Sequence, residues 1–183
     1  MLLMIEALLI LAALGQDHIA VAAFENIYPL DMAPNSFDDQ YESCREKMGK
    51  SDAIQILKKT QKTCYSAFRG TKAEFNKHVL NKEVRFGQFA SSSLDRKKAQ
   101  GFGNVSCFEI HTCKGANLTE YSKLPHEKEV LIPPYEKFKV TAVKTRKDQK
   151  DLWCDTVYEL KSSGKRSDLN CALFKKPTKT IIK

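Results

Sequence analysis

From Thr63 onward the chain is a succession of short runs rich in aromatic and β-branched residues, and this pattern limits the fold more than any other feature. The runs are separated by Gly, Asn, Pro or charged clusters, as is typical of strands joined by turns. They are TCYSAF, VRFGQFA, VSCFEIHTC, EVLI, KFKVTAV, LWCDTVYELK and LNCALFK. The second part of the chain is therefore predicted to be mostly β-sheet.

The part before Thr63 is predicted to be short and helical. Ser36 and Ser51 are each placed to cap a helix, the second in SDAIQILKKTQ, where apolar residues share one face. A brief helix is also predicted in LDRKKAQ, after Ser93 and ending at Gly101. A length of 183 residues fits one domain. The expected fold class is α+β.

The cysteines indicate an oxidising compartment. Their number is even and none has the CxxC spacing of a metal site, which favours disulfides over zinc. Two N-x-S/T sequons, at Asn104 and Asn117, are consistent with export and predict a glycoprotein. The six cysteines are Cys44, Cys64, Cys107, Cys113, Cys154 and Cys171.

Residues 1–15, MLLMIEALLILAALG, are predicted to be a signal peptide cleaved before Gln16, because Ala13-Leu14-Gly15 has the small-x-small pattern of a cleavage site. Glu6 interrupts the apolar run and no Lys or Arg precedes it, so a buried N-terminal helix remains the alternative. Residues 16–183 are the predicted mature domain. Since there is no second apolar segment, the expected product is a secreted protein without a membrane anchor.

The formal net charge of +8 raises the hypothesis of nucleic-acid or heparin binding. The basic residues are scattered, however, with short clusters only in DRKK, KTRKDQK and KKPTK. A solvated basic surface is the preferred interpretation, and no nucleic-acid partner is expected.

Glu127 and Glu129 stand one residue apart at the start of the run in LPHEKEVLIPPYEKF. On a strand, residues i and i+2 project to the same side, with their bases roughly 6 to 7 Å apart. Like charges placed in this way repel, and the pKa of one is raised. Such a pair alone is most often exposed surface, and the neighbouring His126 is expected to be structural or solvated.

Two upstream fragments give this pair a context. In FRGT, Arg69 ends a strand and is followed by Gly70, a combination that lets a phosphate approach the backbone. In FASSSL, three serines beginning with Ser91 end another strand. Each fragment is a weak signal when taken separately.

In this order, the three fragments resemble the arginine, serine and Glu-x-Glu signature of the mono-ADP-ribosyltransferases, specifically the vertebrate ecto-enzymes related in fold to clostridial-type toxins. The resemblance extends to PLDMAPNSFDDQYESC, CYSAFRGT, VRFGQFASSSL, HTCKGA, EKEVLIPPYEKFKV and LNCALFK. It implies an ADP-ribosyltransferase fold, with two small β-sheets around an NAD cleft. It also implies transfer of ADP-ribose from NAD, a substrate, to arginine side chains of extracellular proteins, with no metal.

The resemblance implies four catalytic residues. Arg69 corresponds to the arginine that grips an NAD phosphate, and Ser91 to the serine that holds the catalytic glutamate. Glu129 matches that glutamate. Glu127 takes the first Glu position, which accompanies arginine specificity in the family.

It further implies an NAD-binding set that contains Arg69, Ser91 and Glu129 together with three neighbours. The backbone of Gly70 would hold the nicotinamide amide, and Thr71 is the next residue of the same motif. Phe102, in GFG, would stack on nicotinamide.

Family pairing would join Cys44 to Cys171 and Cys64 to Cys113, which leaves Cys107 with Cys154. A monomer is expected. Relatives carry a lobe of several helices before the CYSAFRG strand, and here only the residues between Cys44 and Cys64 intervene, so the N-terminal helical region is reduced. Two alternatives therefore stay open, namely an NAD glycohydrolase and a catalytically inactive, basic secreted binding module.

Overall fold

The computed structural model describes residues 27–34 and 63–166, which form ten strands, one α-helix and one short 3₁₀ helix. In chain order these are β1 Ile27–Tyr28, β2 Tyr65–Thr71, β3 Glu74–Phe75, β4 Glu83–Val84, β5 Ala90–Ser93, α1 Arg96–Gln100, β6 Ser106–Thr112, β7 Ala116–Asn117, the 3₁₀ helix Pro125–Glu127, β8 Glu129–Ile132, β9 Glu136–Thr145 and β10 Thr156–Lys165. The predicted helices at Ser36 and Ser51, the strand LNCALFK and the signal peptide lie outside the described residues.

Eight of the strands form one sheet in the order β4-β9-β10-β6-β2-β5-β8-β7, and β1 pairs with β3 in a separate parallel ribbon. Strand β2 pairs with β6 along its whole length, but its register with β5 consists of one pair, Phe68 with Ser93. This weak junction divides the sheet into a five-stranded half ending at β2 and a three-stranded half formed by β5, β8 and β7. The prediction of an α+β fold with two small sheets is confirmed.

An aromatic core packs on the five-stranded half. Phe108 stacks on Tyr158 with ring centroids 5.2 Å apart, while Phe75 and Phe86 meet Phe108 edge to face. The hydroxyl of Tyr158 donates to the carbonyl of Phe75 at 2.7 Å, so the polar end of this buried ring has a partner. Burial raises the pKa of Tyr158 to about 12. Large aromatic side chains thus fix the half of the sheet that carries β2.

The predicted strand VRFGQFA is wrong for most of its length, because only its two end residues lie in strands, Val84 in β4 and Ala90 in β5. Arg85 is buried, and its backbone N–H donates to the carbonyl of Asp31. Its guanidinium donates to the carbonyls of Met32 and Ala33. The segment after β4 therefore bonds to residues 27–34 instead of continuing along the sheet.

The three serines of FASSSL end strand β5, as predicted. One other strand boundary differs from the prediction. In LWCDTVYELK the strand begins only at Thr156, since the preceding residues turn back so that the side chain of Gln100 donates to the carbonyl of Trp153. The short helix predicted in LDRKKAQ is confirmed as α1, with Asp95 as its N-cap.

Two disulfides are present, Cys64–Cys113 and Cys107–Cys154, as expected. Cys44 and Cys171 lie outside the described residues, so their pairing remains a prediction. Within residues 27–34 and 63–166, no helix is both long and apolar enough to cross a membrane.

Candidate functional site

Three sequence-predicted residues meet at the junction between the two halves of the sheet. A guanidinium nitrogen of Arg69, on β2, donates to the backbone carbonyl of Ser91, on β5, at 2.6 Å. The hydroxyl of Ser91 donates to a carboxylate oxygen of Glu129, on β8, at 2.7 Å. This hydrogen-bond chain, which passes through the backbone carbonyl and the side chain of Ser91, joins a cation on the five-stranded half to a carboxylate on the three-stranded half.

Glu129 is buried, with only 6% of its surface exposed. Burial raises the pKa of Glu129, the hydrogen bond from Ser91 lowers it, and the charge of Glu127 raises it again. Burial also lowers the pKa of the Arg69 guanidinium from its ordinary value. A carboxylate in such weakly solvated surroundings interacts strongly with any positive charge that develops next to it.

The two glutamates do not share a strand, so the predicted same-side projection from β8 is wrong. Glu127 is the last residue of the 3₁₀ helix, and Lys128 separates it from β8 in a left-handed conformation with φ of 49°. Pro125 starts this helix, where its fixed φ and missing N–H are well tolerated. Glu127 is half-buried and close enough for its charge to raise the pKa of Glu129.

Ser93 and Asp95 hold the turn that carries Glu127, and the sequence-based prediction missed both. The hydroxyl of Ser93 donates to the carbonyl of Glu127 at 2.6 Å and accepts from the backbone N–H of Asp95 at 2.9 Å. The carboxylate of Asp95 lies 3.8 Å from the ammonium of Lys128. The available signal was the i+2 spacing of Ser93 from Ser91, which puts both hydroxyls on one face of β5.

Gly70 is needed for backbone packing. A Cβ atom at this position would lie 2.3 Å from the carbonyl oxygen of Gly103 and 2.4 Å from that of Ala99. The space beside Gly70 is thus filled by the end of α1, whereas the sequence predicted an opening for a phosphate. This contact sets the position of the GFG turn relative to Arg69.

The other two predicted NAD-binding residues lie at the edges of the site. The hydroxyl of Thr71 accepts from the backbone N–H of Ala73 at 2.8 Å, so it stabilises the turn after β2. Phe102 follows α1 and is 62% exposed. Its ring is accessible beside the Gly70–Gly103 contact. His126 is exposed on the 3₁₀ helix, in agreement with the expectation of a solvated histidine.

Comparison with known proteins identifies the family. Residues 50–167 match the family model NAD:arginine ADP-ribosyltransferase. NAD(P)(+)--arginine ADP-ribosyltransferase 2 of Gallus gallus is 38% identical over 125 residues, which are 68% of this chain and 38% of that protein. Ecto-ADP-ribosyltransferase 4 of Homo sapiens is 39% identical over 138 residues, 72% of this chain and 41% of the relative. The chain thus spans about two fifths of the length of these relatives.

The fold is shared with solved structures. The crystal structure of the eukaryotic mono-ADP-ribosyltransferase ART2.2 superposes with a TM-score of 0.58 at 25% identity, covering 79% of this chain and 98% of that chain. A Glu-to-Ala variant of the same enzyme, in complex with NADH, gives a TM-score of 0.57 at 25% identity with the same coverage. Several of the relatives are named as ecto-enzymes, and the two disulfides within residues 63–166 are consistent with the same compartment.

Proposed function

The chain belongs to the NAD:arginine ADP-ribosyltransferase family, and on that premise we propose that it transfers ADP-ribose from NAD to arginine side chains of extracellular proteins, with release of nicotinamide. The observation that carries the proposal is the hydrogen-bond chain from Arg69 through Ser91 to Glu129. It supports the activity because it joins a cation suited to phosphate with a buried carboxylate suited to a developing positive charge.

Glu129 acts on the bond between ribose and nicotinamide. Breaking this bond leaves positive charge on the ribose ring, and the charge is largest near the transition state. A carboxylate that accepts a hydrogen bond from the ribose 2′-hydroxyl stabilises this charge, and its contribution grows as the bond breaks. The burial of Glu129 strengthens the effect, and Ser91 fixes the orientation of the carboxylate.

Arg69 and its neighbours bind NAD. A guanidinium has five N–H donors, and within the described residues that of Arg69 makes one hydrogen bond, to the Ser91 carbonyl. Its other N–H groups can donate hydrogen bonds to oxygens of the NAD pyrophosphate. Gly70 and Thr71 follow Arg69 on β2, and the exposed ring of Phe102 offers a surface for nicotinamide.

Glu127 orients the acceptor. A guanidinium is a cation and a poor nucleophile, so a second carboxylate is needed to position it and to take its proton. Glu127 suits this role because it is half-buried, lies on a turn fixed by Ser93, and is close to Glu129.

The test is an NAD transfer assay with a small guanidino acceptor such as agmatine. The wild type is expected to form ADP-ribosyl-agmatine, and Glu129→Gln should reduce the rate by roughly 10²- to 10³-fold, as for other charge-stabilising groups. Glu120→Gln is the matched control, because Glu120 is an exposed glutamate of the preceding loop. Equal rates in wild type and Glu129→Gln would overturn the proposal.

NAD hydrolysis is the second candidate function. It is favoured by the finding that the Arg69–Ser91–Glu129 chain is complete without Glu127, which lies on a separate turn. Free ADP-ribose formed by the wild type without agmatine would indicate hydrolysis. Glu127→Gln should abolish transfer to agmatine and leave hydrolysis in place.

A further inference from the structure

The Cys64–Cys113 disulfide lies at the end of β2 opposite to the Gly70 contact. Tyr65 faces Thr112 in the β2–β6 register, so the two cysteines are the next opposed pair, with Cα atoms 4.0 Å apart. Cys64 is exposed, whereas Cys113 is half-buried. The two cysteines of this disulfide therefore differ in their exposure to solvent.

A histidine lies beside one of these sulfurs. His111 is exposed on β6, and its Nε2 atom is 3.9 Å from the Sγ atom of Cys113. The Nε2 atom and the two sulfurs lie within 4.8 Å of one another, a grouping that resembles a metal site. Because both sulfurs are joined in the disulfide, neither carries the thiolate charge that a metal requires.

The other described disulfide has neither property. Cys107 and Cys154 both have 0% exposure and pack against Val157 in a small apolar cluster. A soluble thiol cannot reach these sulfurs without opening the fold. The chain thus contains a shielded disulfide that serves as an internal reference for the exposed one.

The backbone around Cys113 is fixed independently of its disulfide. The N–H groups of Cys113 and Lys114 both donate to the carboxylate of the fully buried Glu136, at 2.7 and 3.1 Å. Strand β2 pairs with β6 over its full length. Opening the disulfide therefore leaves the ends of both strands in position.

We propose that Cys64–Cys113 is a thiol–disulfide exchange site that takes low-molecular-weight thiols, with Cys64 as the attacked sulfur and Cys113 as the leaving sulfur. The thiolate of the small molecule attacks the Sγ atom of Cys64, the more exposed of the two residues, and forms a mixed disulfide. The bond between the Cys64 and Cys113 sulfurs breaks, and its electron pair leaves on Cys113. His111 donates a proton to this sulfur, which lowers the barrier because exchange is faster when the leaving thiolate is stabilised. The step needs no other oxidant or reductant, and it does not depend on the catalytic assignments above.

The experiment exposes the oxidised protein to millimolar reduced glutathione, followed by an acid quench, alkylation with N-ethylmaleimide and peptide mass spectrometry. The expected products are glutathione on Cys64, the alkyl group on Cys113 and an intact Cys107–Cys154 bond. His111→Gln should slow the exchange by about fivefold, the factor that one ordinary hydrogen bond contributes. His78→Gln is the matched control, because His78 is an exposed histidine in the loop between β3 and β4, and its rate should equal that of the wild type.

Three results would overturn the proposal. One is opening of Cys107–Cys154 as fast as that of Cys64–Cys113, which would mean that exposure does not select the site. Another is an adduct mainly on Cys113, which would reverse the assigned direction of attack. An exchange rate unchanged in His111→Gln would remove the histidine from the step.

Discussion

Glu129 has a location that favours its proposed chemistry and opposes folding. A buried carboxylate stabilises developing positive charge strongly, but holding it ionised in the folded protein costs free energy. Burial is the largest cause of its raised pKa, and Ser91 only partly offsets it. At the residue scale, a substitution of Glu129 should therefore change the transfer rate and the free energy of unfolding in opposite directions.

Glu129→Gln is expected to raise the melting temperature at pH 7 while it slows transfer. The folded wild type keeps the Glu129 proton to a higher pH than the unfolded chain does, so its free energy of unfolding falls as the pH rises from the ordinary carboxyl pKa through the raised one. The amide of the Glu129→Gln variant does not ionise, so this variant does not lose unfolding free energy in that pH range. Thermal unfolding of both proteins between pH 4 and 8 should show a difference that shrinks toward pH 4. A variant less stable than wild type at pH 7 would contradict this.

Ser91→Ala is expected to shift the pH dependence of activity. The hydrogen bond from Ser91 lowers the pKa of Glu129, so its loss raises that pKa and moves the acidic limb of the kcat/KM profile to higher pH. The rate at neutral pH should fall by roughly tenfold or more, the effect of one hydrogen bond to a charged group. Ser92→Ala is the control. Its hydroxyl donates to the carbonyl of Val130, so that variant should lose stability without moving the limb.

At the scale of elements, the contact between β2 and α1 determines where the predicted binding residues lie. The sequence predicted α1 and the glycine after Arg69, because both depend on local signals. It did not predict that Gly70 meets the carbonyls of Ala99 and Gly103, since this contact joins segments far apart in the chain. The single registered pair between β2 and β5 is likewise a tertiary property.

Gly70→Ala is expected to destabilise the protein by about 1 to 3 kcal/mol, the usual cost of an added methyl group in a packed region. The new Cβ would lie well inside contact distance of two backbone oxygens, and neither belongs to a side chain that can rotate away. Urea denaturation measures the change. Gly101→Ala is the matched control, because its Cβ would meet only the Lys98 oxygen at 3.2 Å and its φ is −62°. Equal losses in the two variants would refute the packing argument.

At the scale of the whole molecule, the sequence predicted the proximity of three residues better than it predicted the path of the chain. Arg69, Ser91 and Glu129 meet as expected because each belongs to a short strand whose neighbours follow from the fold. The departures occur where one residue makes a distant contact or a turn intervenes. Buried Arg85 donates hydrogen bonds to backbone carbonyls of residues 27–34, so its segment leaves the predicted strand. Pro125 starts a 3₁₀ helix and Lys128 has a left-handed conformation, so Glu127 lies outside β8. The alternating pattern of a strand predicts neither the distant contacts of Arg85 nor the turn before β8.

The division of the sheet gives NAD a measurable effect on the whole molecule. A ligand that contacts Arg69 on one half and Glu129 on the other is bound only when both halves are folded and joined, so it stabilises the native state. At 100 times its dissociation constant, NAD should add about 2.7 kcal/mol to the free energy of unfolding, or roughly 5 to 10 °C to the melting temperature of a chain of this length.

Arg69→Lys should lessen the shift in melting temperature at a fixed NAD concentration, because an ammonium lacks the planar fork that suits phosphate. Arg146→Lys, at an exposed ion pair with Asp155, should retain the full shift. Absence of any shift at millimolar NAD in the folded wild type would contradict the prediction and favour a binding module that has lost its NAD site.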